Sequence, residues 1–215
     1  MAERTTPDQL EALHYRLALT GYGETFSQYV LSEADADMLL FYDSLLIPGP
    51  LQTRSYAEAR IEANGPHLTP EQRAARLDLR MYRQQLMARR GVLQNYIIPL
   101  DVLEHLHDAR HTDVTARKQL NALAHTAGRD TVDIRVIGYE DTLRSGVGMA
   151  PLAIAQGPNL ADPIKSIDTA FIEDSVDGWI VSGEGAIPHT NAFEILGRFA
   201  MESDASRAVL NSLVR

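Results

Sequence analysis

Residues 45–53, read Leu-Leu-Ile-Pro-Gly-Pro-Leu-Gln-Thr, constrain this chain more than any other stretch. Pro48 and Pro50 each fix φ, remove a backbone donor and push the preceding residue out of the α region. Gly49, between them, can take backbone angles that few other residues accept. No helix runs through such a segment. It predicts a stiff, apolar elbow between two helices, buried as punctuation.

Upstream of the elbow, apolar residues recur at helical spacing over 8–31: Leu10, Leu13 and Leu17, then Phe26, Tyr29 and Val30. Gly21 and Gly23 split that run into two helices. Thr6, Pro7 and Gln9 supply an N-cap, a proline at N1 and an N3 glutamine. A further helix is expected to open at 32–37, where acidic residues suit a positive helix end, and to run through 38–42 into the elbow. Downstream, Thr53 or Ser55 caps a helix over 56–63, which stops at Asn64-Gly65-Pro66. Thr69-Pro70-Glu71-Gln72 begins a long basic helix at 70–90, with Gln72 placed for a capping box. Gly91 ends it.

Strands are predicted at 95–100, 131–138, 149–155, 166–173 and 178–181, the second alternating strictly. A short helix or turn is expected at 101–107, and helices at 113–127, 187–199 and 203–213, the last with Ser203 as N-cap. Helices, then strands, then helices predict an α+β fold. Its parts are N-terminal helices, a central, mostly antiparallel sheet of four to five strands covered on one side, and C-terminal helices.

The 215 residues, 45% of them hydrophobic, suffice for one real core with at most a short extension. A net charge of −9 opposes phosphate backbones, so this chain alone is not expected to bind nucleic acid. With no cysteine there are no disulfides, thiolate nucleophiles or cysteine-held metals. The N-terminus lacks an apolar signal core, and no uncharged apolar run approaches the length of a membrane span. A cytoplasmic protein without a membrane partner is expected.

Several stretches resemble, in order, a known family. Residues 46–53 followed by Tyr56-Ala57 look like the signature of the C-terminal sensor or partner-binding domain of actinobacterial XRE-type helix-turn-helix regulators. Some of these act in toxin–antitoxin-like pairs. Arg80-Met81-Tyr82-Arg83-Gln84-Gln85-Leu86 resembles that family's Arg-x-x-Arg-Gln helix, and Gln119-Leu120-Asn121-Ala122-Leu123 its Gln-Leu-x-x-Leu helix. Phe171-Ile172-Glu173 resembles its strand ending Tyr-Val-Glu. Pro50 stands where the family usually has Leu, and a His-rich turn at 104–111 where it tends to have arginines. The resemblance implies a helical extension over 1–32, in place of the usual DNA-reading domain, and a ligand- or partner-binding domain over 33–215.

Arg73, Arg76, Arg80 and Arg83 recur every three or four residues and so share one helical stripe. Their guanidinium forks suit carboxylate or phosphate groups, and equally suit the chain's own acids. Gln52 and Glu173 sit among apolar residues, where a polar side chain needs a partner. A network joining elbow, arginine helix and the Glu173 strand is expected, either structural or lining a ligand. The candidate ligand-binding set is Gln52, Tyr56, Arg80, Tyr82, Arg83, Gln84 and Glu173. Trp179, Tyr82, Tyr96, Phe171 and Phe193 either line a pocket or pack the core.

His107 and His111, four apart with Glu104 and Asp108 nearby, have loose metal spacing but no HExxH frame, and read as a solvated turn. No metal and no cofactor are expected. Ser145-Gly146-Val147-Gly148 lacks both the G-x-S-x-G and the P-loop pattern, so it reads as a loop between strands. The chain therefore reads as a non-DNA-binding module that takes a small molecule or small partner protein in a cleft beside the arginine helix. Homodimerisation is a further option. The alternative is a cofactor-free cyclase or isomerase of natural-product biosynthesis, working in the same pocket by enclosing and orienting its substrate.

Overall fold

Helix α1 (Pro7–Thr20) starts at the expected cap: Thr6 accepts from Gln9 N, and the Gln9 side chain accepts from Thr6 N. It stops at Gly21, which takes the left-handed φ of 65° that favours glycine. Helix α2 (Glu24–Asp35) follows. The computed structural model describes residues 3–147, 150–159, 162–173 and 178–214. Gly148 and Met149, on which a glycine-rich turn and the start of a predicted strand fall, lie outside them.

The segment expected to form a helix into the elbow does not. Acidic residues 33 and 35 end α2 instead of opening a new helix, and Ala36 is extended. Strand β1 (Met38–Tyr42) comes next. Five consecutive apolar residues carry no period that separates helix from strand. Here they alternate between two apolar environments: Leu39 and Phe41 enter one core, Leu40 and Tyr42 another. Burying Leu39, Leu40 and Phe41 contributes about 1.5–3 kcal/mol each. The elbow thus joins a strand to a helix. Gly49–Leu51 form a single 3-10 turn, and Gly49 does not need a positive φ.

Helix α3 (Arg54–Asn64) is capped by Thr53, and α4 (Pro70–Arg90) by the Thr69–Gln72 capping box, before Gly91 ends it with φ 65°. Then come β2 (Leu93–Pro99), α5 (Leu100–Ala109), α6 (Val114–Thr126) and β3 (Val132–Ile137). A short α7 (Tyr139–Ser145) occupies part of the stretch expected as a loop. Strands β4 (Leu152–Asn159), β5 (Asp162–Glu173) and β6 (Gly178–Ser182) lead to α8 (Ile187–Phe199) and α9 (Ser203–Leu213). The N-cap of α9 is Glu202, without a side-chain cap, because Ser203 is already helical.

The fold is α+β, with a six-stranded mixed sheet in the order β3-β2-β1-β4-β5-β6. The four to five mostly antiparallel strands expected become six because residues 38–42, expected as helix, form β1. β1 pairs in parallel with β2, and β2 with β3; β1–β4, β4–β5 and β5–β6 are antiparallel. Parallel neighbours need crossovers, and α3–α4 and α5–α6 supply them. Both crossovers lie on one face, where Leu79, Leu86, Leu103, Leu120 and Leu123 join Leu39, Tyr96, Val136 and Phe171 in one core.

The opposite face is covered too, contrary to the one-sided cover expected. Phe193 and Leu196 of α8 pack on Leu40, Ile97, Ile137 and Ile154. Central strands buried on both sides read as unbroken apolar runs, which explains why β1 escaped its period-two signature. Strand order grows from β1 through β2 to β3, then resumes beside β1 with β4. The reversal lies between β1 and β4, at the end of β1 where the elbow begins.

Candidate functional site

The elbow is held by side chains from two helices. From α4, Gln84 Nε2 donates to the carbonyls of Gly49 (3.1 Å) and Gln52 (2.9 Å), and Arg80 Nη1 donates to Gln52 Oε1 at 2.6 Å. From α6, buried Gln119 donates to Leu51 O (2.9 Å) and accepts from Thr53 N (2.7 Å) and Thr53 Oγ1 (3.1 Å). Gln52 completes the set by donating to Ile47 O at 2.7 Å. Two prolines leave this segment short of backbone donors and unable to join a ladder, so its carbonyls need side-chain partners.

One turn further along α4, Arg83 turns inward. Its Nε and Nη2 bind both oxygens of Glu33 in α2, at 2.7 and 2.5 Å, and both residues are buried. Although burial opposes it, the Glu33 carboxylate holds the Arg83 guanidinium well above its usual pKa. The Tyr29 hydroxyl lies in the same buried region. Burial, and then Glu33, push its pKa up, and it completes no hydrogen bond of good geometry among the described residues. Arg80 has a different balance. Burial pulls its pKa down, and the Tyr22 hydroxyl and Glu173 carboxylate offset this only in part. It remains a half-buried cation bonded to Gln52.

Between these groups lies a cavity of about 110 Å³. The elbow residues Pro48, Gly49 and Pro50 form one wall, and Phe26, Tyr29, Phe41 and Phe171 form the aromatic side. Arg80 and Arg83 come from α4, and Pro151–Ala153 from the start of β4. The carboxylates of Asp43 and Glu173 complete the lining. The aromatic side is a continuous packed unit. Tyr29 stacks on Phe171 at 5.6 Å, and Phe26 meets Phe171 edge-on at 5.5 Å. Asp43 also caps the turn after β1 by accepting from Leu45 N and Leu46 N. The cavity therefore lies at the C-terminal end of β1, where it meets the start of the antiparallel β4.

A family model described as a domain of unknown function, DUF5753, matches residues 26–212. The chain belongs to this family. Comparison with curated proteins and with solved structures returns no match. Every residue lining the elbow cavity, from Phe26 to Glu173, falls inside the DUF5753 match. Helix α1 falls outside it but packs on α4, with Arg16 bound to Asp78 at 2.9 Å and Tyr82 donating to Gln9 O at 3.0 Å.

A larger concavity of about 550 Å³ opens on the α8 side of the DUF5753 sheet, between Met38, Leu40, Asn95, Arg135 and Gln156 below and Thr190, Phe193 and Gly197 above. Several of its polar groups are already engaged, while Glu194 and Arg198 also line it. Gln156 and Thr190 both donate to Asp168, and Arg135 donates to the carbonyls of Met201 and Ala200 and to Glu202. We place the candidate site in the smaller cavity, because a cation whose pKa burial lowers stands in its wall.

The seven residues singled out from the sequence divide three ways. Arg80, Arg83 and Glu173 line the cavity. Gln52 and Gln84 spend their amides on the elbow. Tyr82 faces α1 with Arg16 over its ring at 4.2 Å, and Tyr56 packs beside Asp43 and Arg60, where burial raises its pKa. The arginine stripe also divides: Arg73 and Arg76 bind the carbonyls of Pro66 and Thr20, and Arg76 covers the Tyr22 ring at 4.0 Å. His107 Nδ1 donates to Leu213 O at 2.8 Å, tying α5 to α9, and no metal-capable cluster occurs among the described residues. Trp179 is 47% exposed on β6, Tyr96 is core, and Phe193 lines the α8-side groove. Sequence reading missed Glu33, Phe26, Tyr29, Phe41 and Asp43 as parts of the site. Asp43, an acid directly before the elbow, was the one local signal available. No helix of the described residues is long and apolar enough to cross a membrane.

Proposed function

We propose that this DUF5753 chain is a binding module for a small molecule held in the elbow cavity beside α4. One observation carries the reading: a guanidinium, Arg80, whose pKa burial lowers, stands in the wall of an aromatic-lined cavity at the C-terminal end of β1. Keeping a cation there costs solvation that a bound partner returns. The elbow that orients Arg80 is itself gripped from α4 and α6, so the donor is aimed before any ligand arrives. The reading agrees with the resemblance to the sensor domain of XRE-type regulators. In such a role, occupancy would be felt by the elbow and passed to α6.

Native mass spectrometry of the protein purified without denaturation, and incubated with filtered cell extract, tests the proposal. A small-molecule adduct is expected on the parent protein and on Arg198→Ala, a change in the α8-side groove. It should be lost from folded Arg80→Ala. An adduct that survives in Arg80→Ala and disappears from Arg198→Ala overturns the assignment to the elbow cavity.

A further inference from the structure

We propose that the outer edge of β6 is a self-association surface, on which β6 of a second copy of this chain pairs antiparallel about a two-fold axis at Ile180. The inference concerns a surface apart from the elbow cavity and does not depend on it.

The sheet has two edges, and the fold treats them differently. At β3, the Ser206 hydroxyl of α9 accepts from Val136 N at 2.9 Å, and Val136 O accepts from Met201 N at 2.8 Å. The chain closes that edge itself. β6 is the other edge, paired on one side with β5. Glu173 N donates to Pro151 O, so the backbone groups of residue 173, and by alternation those of Phe171 and Thr169, point towards β4. Ile172 and Ala170 therefore point at β6, opposite Trp179 and Val181. Gly178 and Ile180 are left with both backbone groups directed outward. Among the described residues none completes a hydrogen bond to those groups.

Exposed edges are usually blunted by a charge, a proline or a bulge. The strand Gly-Trp-Ile-Val-Ser has no charge and no proline, and its pairing with β5 is unbroken over residues 178–182. Trp179, the single tryptophan of the chain, is left exposed on it. Ile180 packs on the elbow-side core and Val181 on the α8-side core, so Trp179 and Val181 share the α8 side.

Charge and pattern select the occupant. An uncharged edge is matched by an uncharged strand, and the chain's own β6 is one. With Ile180 opposite its own counterpart, Trp179 stands opposite Val181 of the second copy, and Gly178 opposite Ser182. Each apolar side chain then meets an apolar one on its own face, and the ladder encloses no charge. The outward N–H and C=O of the two Ile180 residues bond each other, joining two six-stranded sheets into one. Five strand residues fall below the roughly 20–30 a side of a stable interface, and each copy carries a net charge of −9. The dimer is therefore weak, with a Kd on the order of 100 μM, and it tightens as salt screens the like charges.

Sedimentation of the full chain up to about 1 mM, with Trp179 emission read in parallel, tests the proposal. Mass should rise towards two copies while emission moves to shorter wavelength over the same concentrations, and both changes should strengthen in about 0.5 M salt. Ile180→Pro removes an outward N–H and leaves the bonds to β5 in place; Trp179→Lys sets a charge in the ladder. Both should stay monomeric, with circular dichroism verifying that they fold. Tyr15→Lys, on the exposed face of α1, should associate like the parent. A parent that remains monomeric at about 1 mM, a dimer without the emission shift, or one that survives either β6 substitution in a folded variant overturns the proposal. Association that weakens with salt, or is lost in Tyr15→Lys, does the same.

Discussion

The two faces of the sheet carry concavities of opposite character. On the α8 side the opening is about 550 Å³, and Arg135, Gln156 and Thr190 spend their hydrogen bonds on neighbouring side chains and carbonyls. On the elbow side the space is about 110 Å³, yet it is walled by the ion-paired Arg83, a half-buried Arg80 and five aromatic rings. Volume records where helix and sheet failed to meet. The cost of the groups kept in a wall records what the wall is for, because taking charge out of water is expensive. The smaller space is the more constrained one, and substitutions on the two faces should separate accordingly.

The largest separation is expected at the ion pairs. Arg83→Met leaves the Glu33 carboxylate buried and uncompensated, and should cost about 3–5 kcal/mol in urea denaturation. Adding Glu33→Leu should recover most of that loss, since replacing both partners removes the stranded charge. On the other face, Glu202 is 90% exposed at its side chain where it meets Arg135. Glu202→Ala should change stability by no more than about 0.5 kcal/mol. If Arg83→Met proved as mild as Glu202→Ala, the contrast between the faces would fail.

Next in size comes Gln119→Ala. It strands Leu51 O and Thr53 N, both satisfied by that one amide, and should cost about 1–3 kcal/mol. It should also loosen the elbow enough to weaken ligand binding. A variant that loses stability but binds as before would show that α6 supports the fold alone.

These two sites also mark how far sequence reaches. The capping boxes at Thr6 and Thr69, the long α4 and the span of α8 were legible, because caps and helical period are local signals. β1 was not legible, since five apolar residues in a row fit a buried helix as well as a strand. With β1 misread, the parallel half of the sheet and its two-sided cover were lost together. Arg80, Arg83 and Glu173 could be named because they stand on recognisable motifs. Glu33 could not, because its partner lies fifty residues away and only the tertiary fold brings the two together. Gln119 was visible as a motif residue, but its grip on the elbow is a contact across sixty-six positions.

A smaller and opposite effect is expected in the open groove. Gly197 lies inside α8, and an added Cβ would meet Arg135 Nη1 at 3.6 Å, an ordinary contact. Gly197→Ala should therefore stabilise the protein by about 0.5–1 kcal/mol, through helix propensity. It should leave the Arg80-dependent adduct in native mass spectrometry unchanged. Destabilisation here would mean that the groove needs its open floor, which would raise its standing against the elbow cavity.

The smallest expected effect concerns Asp43. Burial raises its pKa above the ordinary value, opposed only in part by the Leu45 and Leu46 amides and by Arg60. The folded state therefore holds this proton more tightly than the unfolded chain does. Stability from this group is fully present below the unfolded pKa, near 3.9, and is lost as pH rises through the folded value. At neutral pH the ionised Asp43 is a net cost, so Asp43→Asn, which keeps an acceptor for the two amides, should be slightly more stable than the parent. Its stability should also fall less between acidic and neutral pH, measured by denaturation at a series of pH values.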